Sequence, residues 1–150
     1  MGQELTFRAA NLADLPIVAD LLKESGLPLA GVEEHLGGFL LSFEEGSLTG
    51  CAGLERYGSI ALLRSVAVAS EQRRRGLGQE LVRRALVRAR AEGIKSVLLL
   101  TTTAAHFFQR FGFVSISRAE VPGALRCSAE LQGACPDSAT VMKIDLADAG

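Results

Sequence analysis

The chain has 150 residues, nearly half of them apolar, and 16 basic against 17 acidic side chains. That is enough to bury one proper core, and a net charge of -1 offers no general attraction for nucleic acid. No apolar run is long enough to span a bilayer, and the N-terminus lacks the charged and apolar regions of a signal peptide. The expectation is a soluble, cytoplasmic globular protein, a single domain over 1–150, with no membrane partner.

Residues 5–9 alternate as a first strand, and Asn11 is placed to cap a helix starting near Leu12. Leu15, Val18, Ala19, Leu21 and Leu22 give that helix an apolar side, and Gly26-Leu27-Pro28 ends it. A shorter helical segment is predicted over 32–36, before Gly37-Gly38. Residues 39–43 and 48–56 read as strands joined by a tight turn, and the Tyr57-Gly58-Ser59 turn leads into a strand over 60–68. These would be three antiparallel neighbours.

The centre of the chain is the stretch 62–92, in which an apolar run gives way to three arginines, then Gly76-Leu77-Gly78, then an amphipathic helix to about residue 92. Leu77, Leu81, Val82, Ala85, Leu86 and Ala89 fall on one helical face. Glycines at a helix start leave unpaired N–H groups and the positive end of the dipole facing one point, which suits phosphate. Arg73, Arg74 and Arg75 add charge there. The same glycines also fit a plain turn. A strand over 96–101 would then lie parallel to its predecessor, leaving a ligand gap at the strand ends. Beyond it come the aromatic run 107–113, a strand over 114–117, a long connection over 119–137 with a short helix over 124–131, and a last strand over 140–146. Long ordered connections often carry binding residues.

Arg73-x-x-Gly76-x-Gly78, following the strand that holds Val66, Ala67 and Val68, resembles the acetyl-CoA signature of the GCN5-related N-acetyltransferase superfamily. The run Phe107-Phe108-Gln109-Arg110-Phe111-Gly112-Phe113 resembles that superfamily's aromatic helix ending in Gly-Phe. The resemblance implies an α/β fold of the α+β type, a mixed, mostly antiparallel central sheet flanked by helices. It also implies acetyl-CoA as cosubstrate, held by the amides of Val66 to Val68, by Arg73 to Gly78 including Leu77, and by Phe108. Many members carry a tyrosine at the position of Phe108 to protonate the leaving sulfur. A phenyl ring cannot do so, and His106, Thr102, Thr103 or water are the alternatives. Because a thiol titrates near about 8.5, thiolate is a fair leaving group without that acid.

Leu100-Thr101-Thr102-Thr103 followed by His106-Phe107-Phe108 is similar to the acetyltransferase domain of bacterial N-acetylglutamate synthases. Glu120-Val121-Pro122 and Cys135-Pro136-Asp137-Ser138-Ala139-Thr140 resemble the small stand-alone acetyltransferases of arsenic-resistance gene clusters. The implied reaction is direct acetylation of the primary amine of a small amino-acid-like substrate, glutamate or an analogue, in a ternary complex. Glu55, near a strand end, is a candidate base or a solvated charge. Arg64 interrupts an apolar strand, where an unpaired arginine is costly, so either an internal carboxylate or a substrate carboxylate pairs with it. Thr101 and Thr102 are further candidates for the substrate side.

Cys51, Cys127 and Cys135 are widely spaced, without a CxxC pair, so reduced thiols are favoured over a metal site, and arsenite ligation is an alternative. Other open readings are a protein or peptide amine acetyltransferase and a non-catalytic acetyl-CoA-sensing module. Dimers occur in the superfamily, so a homodimer is one open state.

Overall fold

The computed structural model describes residues 4–70, 76–134 and 138–146. Seven strands form one sheet: β1 (Leu5–Ala9), β2 (Phe39–Glu44), β3 (Ser47–Tyr57), β4 (Ile60–Val68), β5 (Ser96–Thr101), β6 (Val114–Ile116) and β7 (Thr140–Asp145), in the spatial order β1-β2-β3-β4-β5-β7-β6. All neighbours are antiparallel except β4 and β5. The crossover between those two is α2 (Leu77–Ala91), whose apolar stripe of Leu81, Val82, Ala85 and Ala89 packs on Leu54, Leu63 and Val97. The remaining helices are α1 (Leu15–Glu24) and the short α3 (Ala105–Gln109).

The opposite face of the sheet carries α1, whose Val18, Leu21 and Leu22 meet Leu41, Cys51 and Ala67. Further along that face Val121 and Leu125, from the β6–β7 connection, cover Leu62, Leu98 and Val141. Among the described residues no helix is long and apolar enough to cross a membrane.

Two expectations about local structure change. Residues 32–36 do not form a helix but run as turns into a 3-10 turn at Leu36–Gly38. His35 donates to the Gly31 and Val32 carbonyls and Leu36 to that of Glu33, isolated turns that do not propagate before the chain becomes extended at Phe39. Just before them, the carbonyls of Pro28 and Ala30 accept hydrogen bonds from Arg64. Likewise 124–131 is split: a 3-10 segment spans Gly123–Cys127, Ser128 is extended, and a second turn spans Glu130–Ala134. The hydroxyl of Ser128 accepts from the Glu130 amide, a local bond that competes with helix. The first helix also begins late. Asn11 and Asp14 form a capping box around a 3-10 turn, and the α-helix starts at Leu15 with Pro16 in its first turn.

A bulge in β4 positions the site. Cys51 pairs with Ala67 and Gly53 with Arg64, so Ser65 and Val66 together oppose Ala52. Ser65 takes a left-handed conformation, φ 58°. Strand side chains alternate between faces, and one extra residue inverts the alternation. Val66 and Val68 consequently join Leu63 on the α2 face, while Ala67 joins the α1 face.

Candidate active site

Strands β4 and β5 pair only from Ile60–Ser96 to Leu62–Leu98. Beyond that point they part, and a cavity of about 710 Å³ opens between them, within the range of small-molecule sites. Its walls include β4 from Leu63 to Val68, the end of β5 with Thr101, Thr102 and Thr103, and Phe107 and Phe108 of α3.

The β4 backbone is aimed at this gap. The Ala69 amide donates to the Thr49 carbonyl on the β3 side, at 2.8 Å. Successive strand amides alternate in direction, so those of Val68 and Val66 point the other way, towards the cavity. At the far end α2 begins with Gly76 as its cap at φ 77°. Glycine tolerates that left-handed backbone, and the N–H groups of a helix's first turn have no partner within the helix. Gly78 lines the cavity, and a side chain on it would stand 3.5 Å from Val68 and 3.8 Å from Phe107.

Arg64 and Glu55 form the charged centre of the other sheet face. Arg64 Nη1 lies 2.8 Å from Glu55 Oε2, and both side chains are fully buried. The guanidinium also donates to the Ala30 carbonyl at 2.6 Å, the Pro28 carbonyl at 3.2 Å and the Ser65 hydroxyl at 3.0 Å. Gly31 makes this approach feasible: with φ +82°, it would place a Cβ only 2.9 Å from Arg64 Nη1. Burial alone would push the Glu55 carboxyl up, but hydrogen bonds from Tyr57, Arg64 and Ser128, with His35 nearby, bring it below its ordinary value. The Tyr57 hydroxyl, partly desolvated and donating to the Glu55 carboxylate, is pushed well up. Glu130 Oε2 completes the group, 3.6 Å from Arg64 Nη2.

Of the residues singled out in the sequence, Arg64, Val66, Ala67, Val68, Gly78, Thr101, Thr102 and Phe108 line the cavity. Gly76 and Leu77 start α2, with Leu77 buried in the core. Glu55 is not a solvated strand-end charge: it lies behind Arg64, away from the cavity wall, because the hydrogen-bonded cluster holds it inside. His106 is exposed on α3 and does not line the cavity. Thr101 accepts from the Ala104 amide at the entry to α3. Arg73, Arg74, Arg75 and Cys135 lie outside the described residues. Among those described, no group of histidine, cysteine or acidic side chains could hold a metal ion.

Sequence reasoning passed over Ser25 and Glu130, which also line the cavity. Ser25 follows a helix end and carries no local signal. Glu130 sits in the long connection expected to contribute binding residues, but nothing in its neighbours marks it out.

Comparison with known proteins agrees with this geometry. Residues 11–113 match the acetyltransferase (GNAT) family. The amino-acid acetyltransferase of Pseudomonas fluorescens (strain Pf0-1) is 34% identical over 129 residues, which cover 78% of this chain and 29% of that protein. That of Neisseria meningitidis (strain DSM 15465 / Z2491) is 31% identical over 130 residues, covering 79% and 29%. This chain therefore matches under a third of the length of these curated relatives. Among solved structures, N-acetylglutamate synthase from Neisseria gonorrhoeae, complexed with coenzyme A and N-acetyl-glutamate, superposes with a TM-score of 0.82 at 25% identity, over 98% of this chain and 36% of that one. Rv2747 from Mycobacterium tuberculosis, in complex with CoA and NLQ, shares the fold with a TM-score of 0.79 at 22% identity, over 95% and 99%. With its parted strands, its glycine-led helix and a family match over more than half its length, the chain belongs to the GNAT family of acetyltransferases.

Proposed function

We propose that the chain transfers an acetyl group from acetyl-CoA to the primary amine of a small amino-acid-like acceptor, glutamate or an analogue of it, by direct attack in a ternary complex. The observation that carries this reading is the parting of β4 from β5 beyond Leu62 and Leu98, which opens the cavity onto Val66, Val68 and the start of α2. The amino-acid acetyltransferases among the relatives supply the acceptor class.

The residues present fit a coenzyme A group. Gly78 leaves the cavity wall uncovered where a larger side chain would project, and the amides at the start of α2 suit a pyrophosphate. Arg73, Arg74 and Arg75 stand immediately before this turn in the sequence and supply charge. When bound, acetyl-CoA supplies an activated thioester carbonyl. The Val66 and Val68 amides, aimed into the gap, are the groups to hold an oxygen that gains negative charge, and fixed backbone donors do so with little reorganisation. Thr101 and Thr102 line the acceptor side, and Phe107 and Phe108 exclude water from it. Glu55 works through Arg64, fixing its position, whereas His106 lies off the cavity wall.

The motifs around Pro122 and Pro136 support a finer placement beside the arsenic-resistance acetyltransferases, so arsenical and phosphorus analogues of glutamate belong among the acceptors tried. The test is thiol release from acetyl-CoA with a panel of free amino acids, these analogues and peptide amines, beside an acetyl-CoA thermal shift. Turnover restricted to amino-acid-like amines is expected. Turnover only with peptide amines, or acetyl-CoA binding with no acceptor at all, would overturn the reading.

A further inference from the structure

Arg64 touches two segments that wall the cavity. It precedes Val68, which borders Gly78 at the start of α2, so it lies towards the other, acceptor end. One segment is 25–31, after α1, which lines the cavity with Ser25 to Pro28; the other is 128–130 of the β6–β7 connection, which lines it with Glu130. Arg64 Nη1 and Nη2 donate to the Ala30 and Pro28 carbonyls at 2.6 and 3.2 Å, and Nη2 lies 3.6 Å from Glu130 Oε2. Where the segments meet, a Cβ on Gly31 would stand 3.4 Å from the Ala129 methyl and 2.9 Å from Arg64 Nη1. Both walls are fastened to the sheet at one guanidinium.

The rest of that guanidinium also works on protein oxygens. Its Nε donates to the Ser65 hydroxyl, and Nη1 donates to Glu55 as well as to Ala30. Glu55 is held in turn by the Tyr57 hydroxyl, with His35 Nε2 3.8 Å from the same carboxylate oxygen. Arginine suits this place because its donors form a rigid planar fork that reaches several acceptors at once. Lysine would keep the charge opposite Glu55, but its donors radiate from one nitrogen and cannot span the Ser65 hydroxyl and both carbonyls.

We infer that Arg64 is a positioning residue for the acceptor: it ties 25–31 and 128–130 to β4 as one unit, and sets the shape of the acceptor end through those walls and not by binding the acceptor's carboxylate. This rests on the amine-acetylation reading above and names the residue that shapes its acceptor site.

The experiment uses the whole chain, with the best acceptor of the panel and its carboxamide form as probes. Gly31→Ala is the first variant, because Gly31 does not line the cavity and the new methyl would press on Arg64 Nη1; Arg64→Lys is the second. In both, acceptor kcat/KM should fall on the order of 10- to 100-fold, equally for the acid and its amide, with the dissociation constant of coenzyme A unchanged. A merely structural defect would weaken coenzyme A binding too. The double variant should lose little more than Arg64→Lys alone, since the methyl then has no fork to displace. Amide hydrogen exchange needs no acceptor. In Arg64→Lys it should quicken together at Val32 and at Leu131 and Gln132, whose amides donate to the Leu29 and Ser128 carbonyls. A loss confined to the carboxylate form would make Arg64 a carboxylate clamp and overturn the inference. Unchanged acceptor kcat/KM, full additivity of the two variants, or exchange that quickens in one segment or neither would overturn it as well. A wild type that turns over no amine refutes the acetyl-transfer reading, and the exchange result then decides by itself whether Arg64 couples the two walls.

Discussion

Arg64 Nη1 and Glu55 Oε2 lie 2.8 Å apart in the interior of the sheet, and neither side chain reaches solvent. Removing one member of such a pair leaves an uncompensated buried charge, at a cost of about 3–5 kcal/mol. Arg64→Met should therefore be destabilised by that much in urea unfolding. Adding Glu55→Gln to it should recover part of the loss, because the remaining partner is then neutral. If the double variant is no more stable than Arg64→Met, the coupling between the two charges is not what holds this region.

Ser65 at φ 58° is the hinge of the β4 bulge, and its hydroxyl accepts from Arg64 Nε at 3.0 Å. Glycine tolerates that backbone, whereas a β-branched residue does not. Ser65→Val should lose about 1–3 kcal/mol of stability. It should also weaken coenzyme A binding, since a flattened bulge would turn the Val66 amide away from the cavity. Ser65→Gly should retain binding. Calorimetric titration with coenzyme A distinguishes them, and equal affinity in both would mean that the bulge does not aim that amide.

These positions show where sequence patterns stop being informative. The long apolar runs over Ile60–Val68 and Ser96–Thr101 mark β4 and β5 correctly, because a strand covered on both faces needs apolar residues throughout. Arg64 is conspicuous in such a run. The tight turn at Gly58-Ser59 sets the register that puts Glu55 opposite Leu62 and Arg64 opposite Gly53, but that Arg64 would turn to Glu55 and not to a ligand depends on the Pro28 to Ala30 carbonyls folding back over it, which no local pattern marks. The bulge beyond Arg64 is equally hidden, because it rests on Ser65, a residue type with no strong preference for a left-handed backbone. The stretch over 32–36 has helical spacing and makes isolated turns, but so short a run does not propagate as a helix before β2 begins at Phe39. Glu130 is illegible locally: only the return of the β6–β7 connection brings it to the cavity.

Acid should unfold the protein partly through two carboxylates. Hydrogen bonds from Arg8 and from the Asn11 amide hold the Asp14 carboxyl at about 2, down from its ordinary 3.8. A group whose value falls on folding stabilises fully above its unfolded value, and that contribution is lost as pH drops through the folded one. Glu55 shifts in the same direction. Asp14→Asn should thus lower the melting temperature by a few degrees at pH 7, with the gap to the wild type closing as pH falls from about 4 towards 2. A gap independent of pH would leave the capping geometry, not the charge, as the source of Asp14's contribution.

Cys51 is fully buried between β3 and β4 and donates its thiol to the Ser65 carbonyl at 3.2 Å. Burial pushes its thiol up to about 12. Since the thiolate is the reactive form, only about one part in ten thousand is available at pH 8, and the buried position blocks access as well. Cys127, by contrast, is exposed. In a Cys135→Ser background, a disulfide reagent at pH 8 should titrate Cys127 promptly and Cys51 only as fast as the protein unfolds. Arsenite should not slow the labelling of Cys127 in that background, because a metalloid held by a single thiolate is bound weakly and Cys51 cannot supply a second. Prompt labelling of both thiols would show that the β3–β4 core opens readily, and protection of Cys127 by arsenite in this background would show that a group other than Cys135 supplies a second ligand.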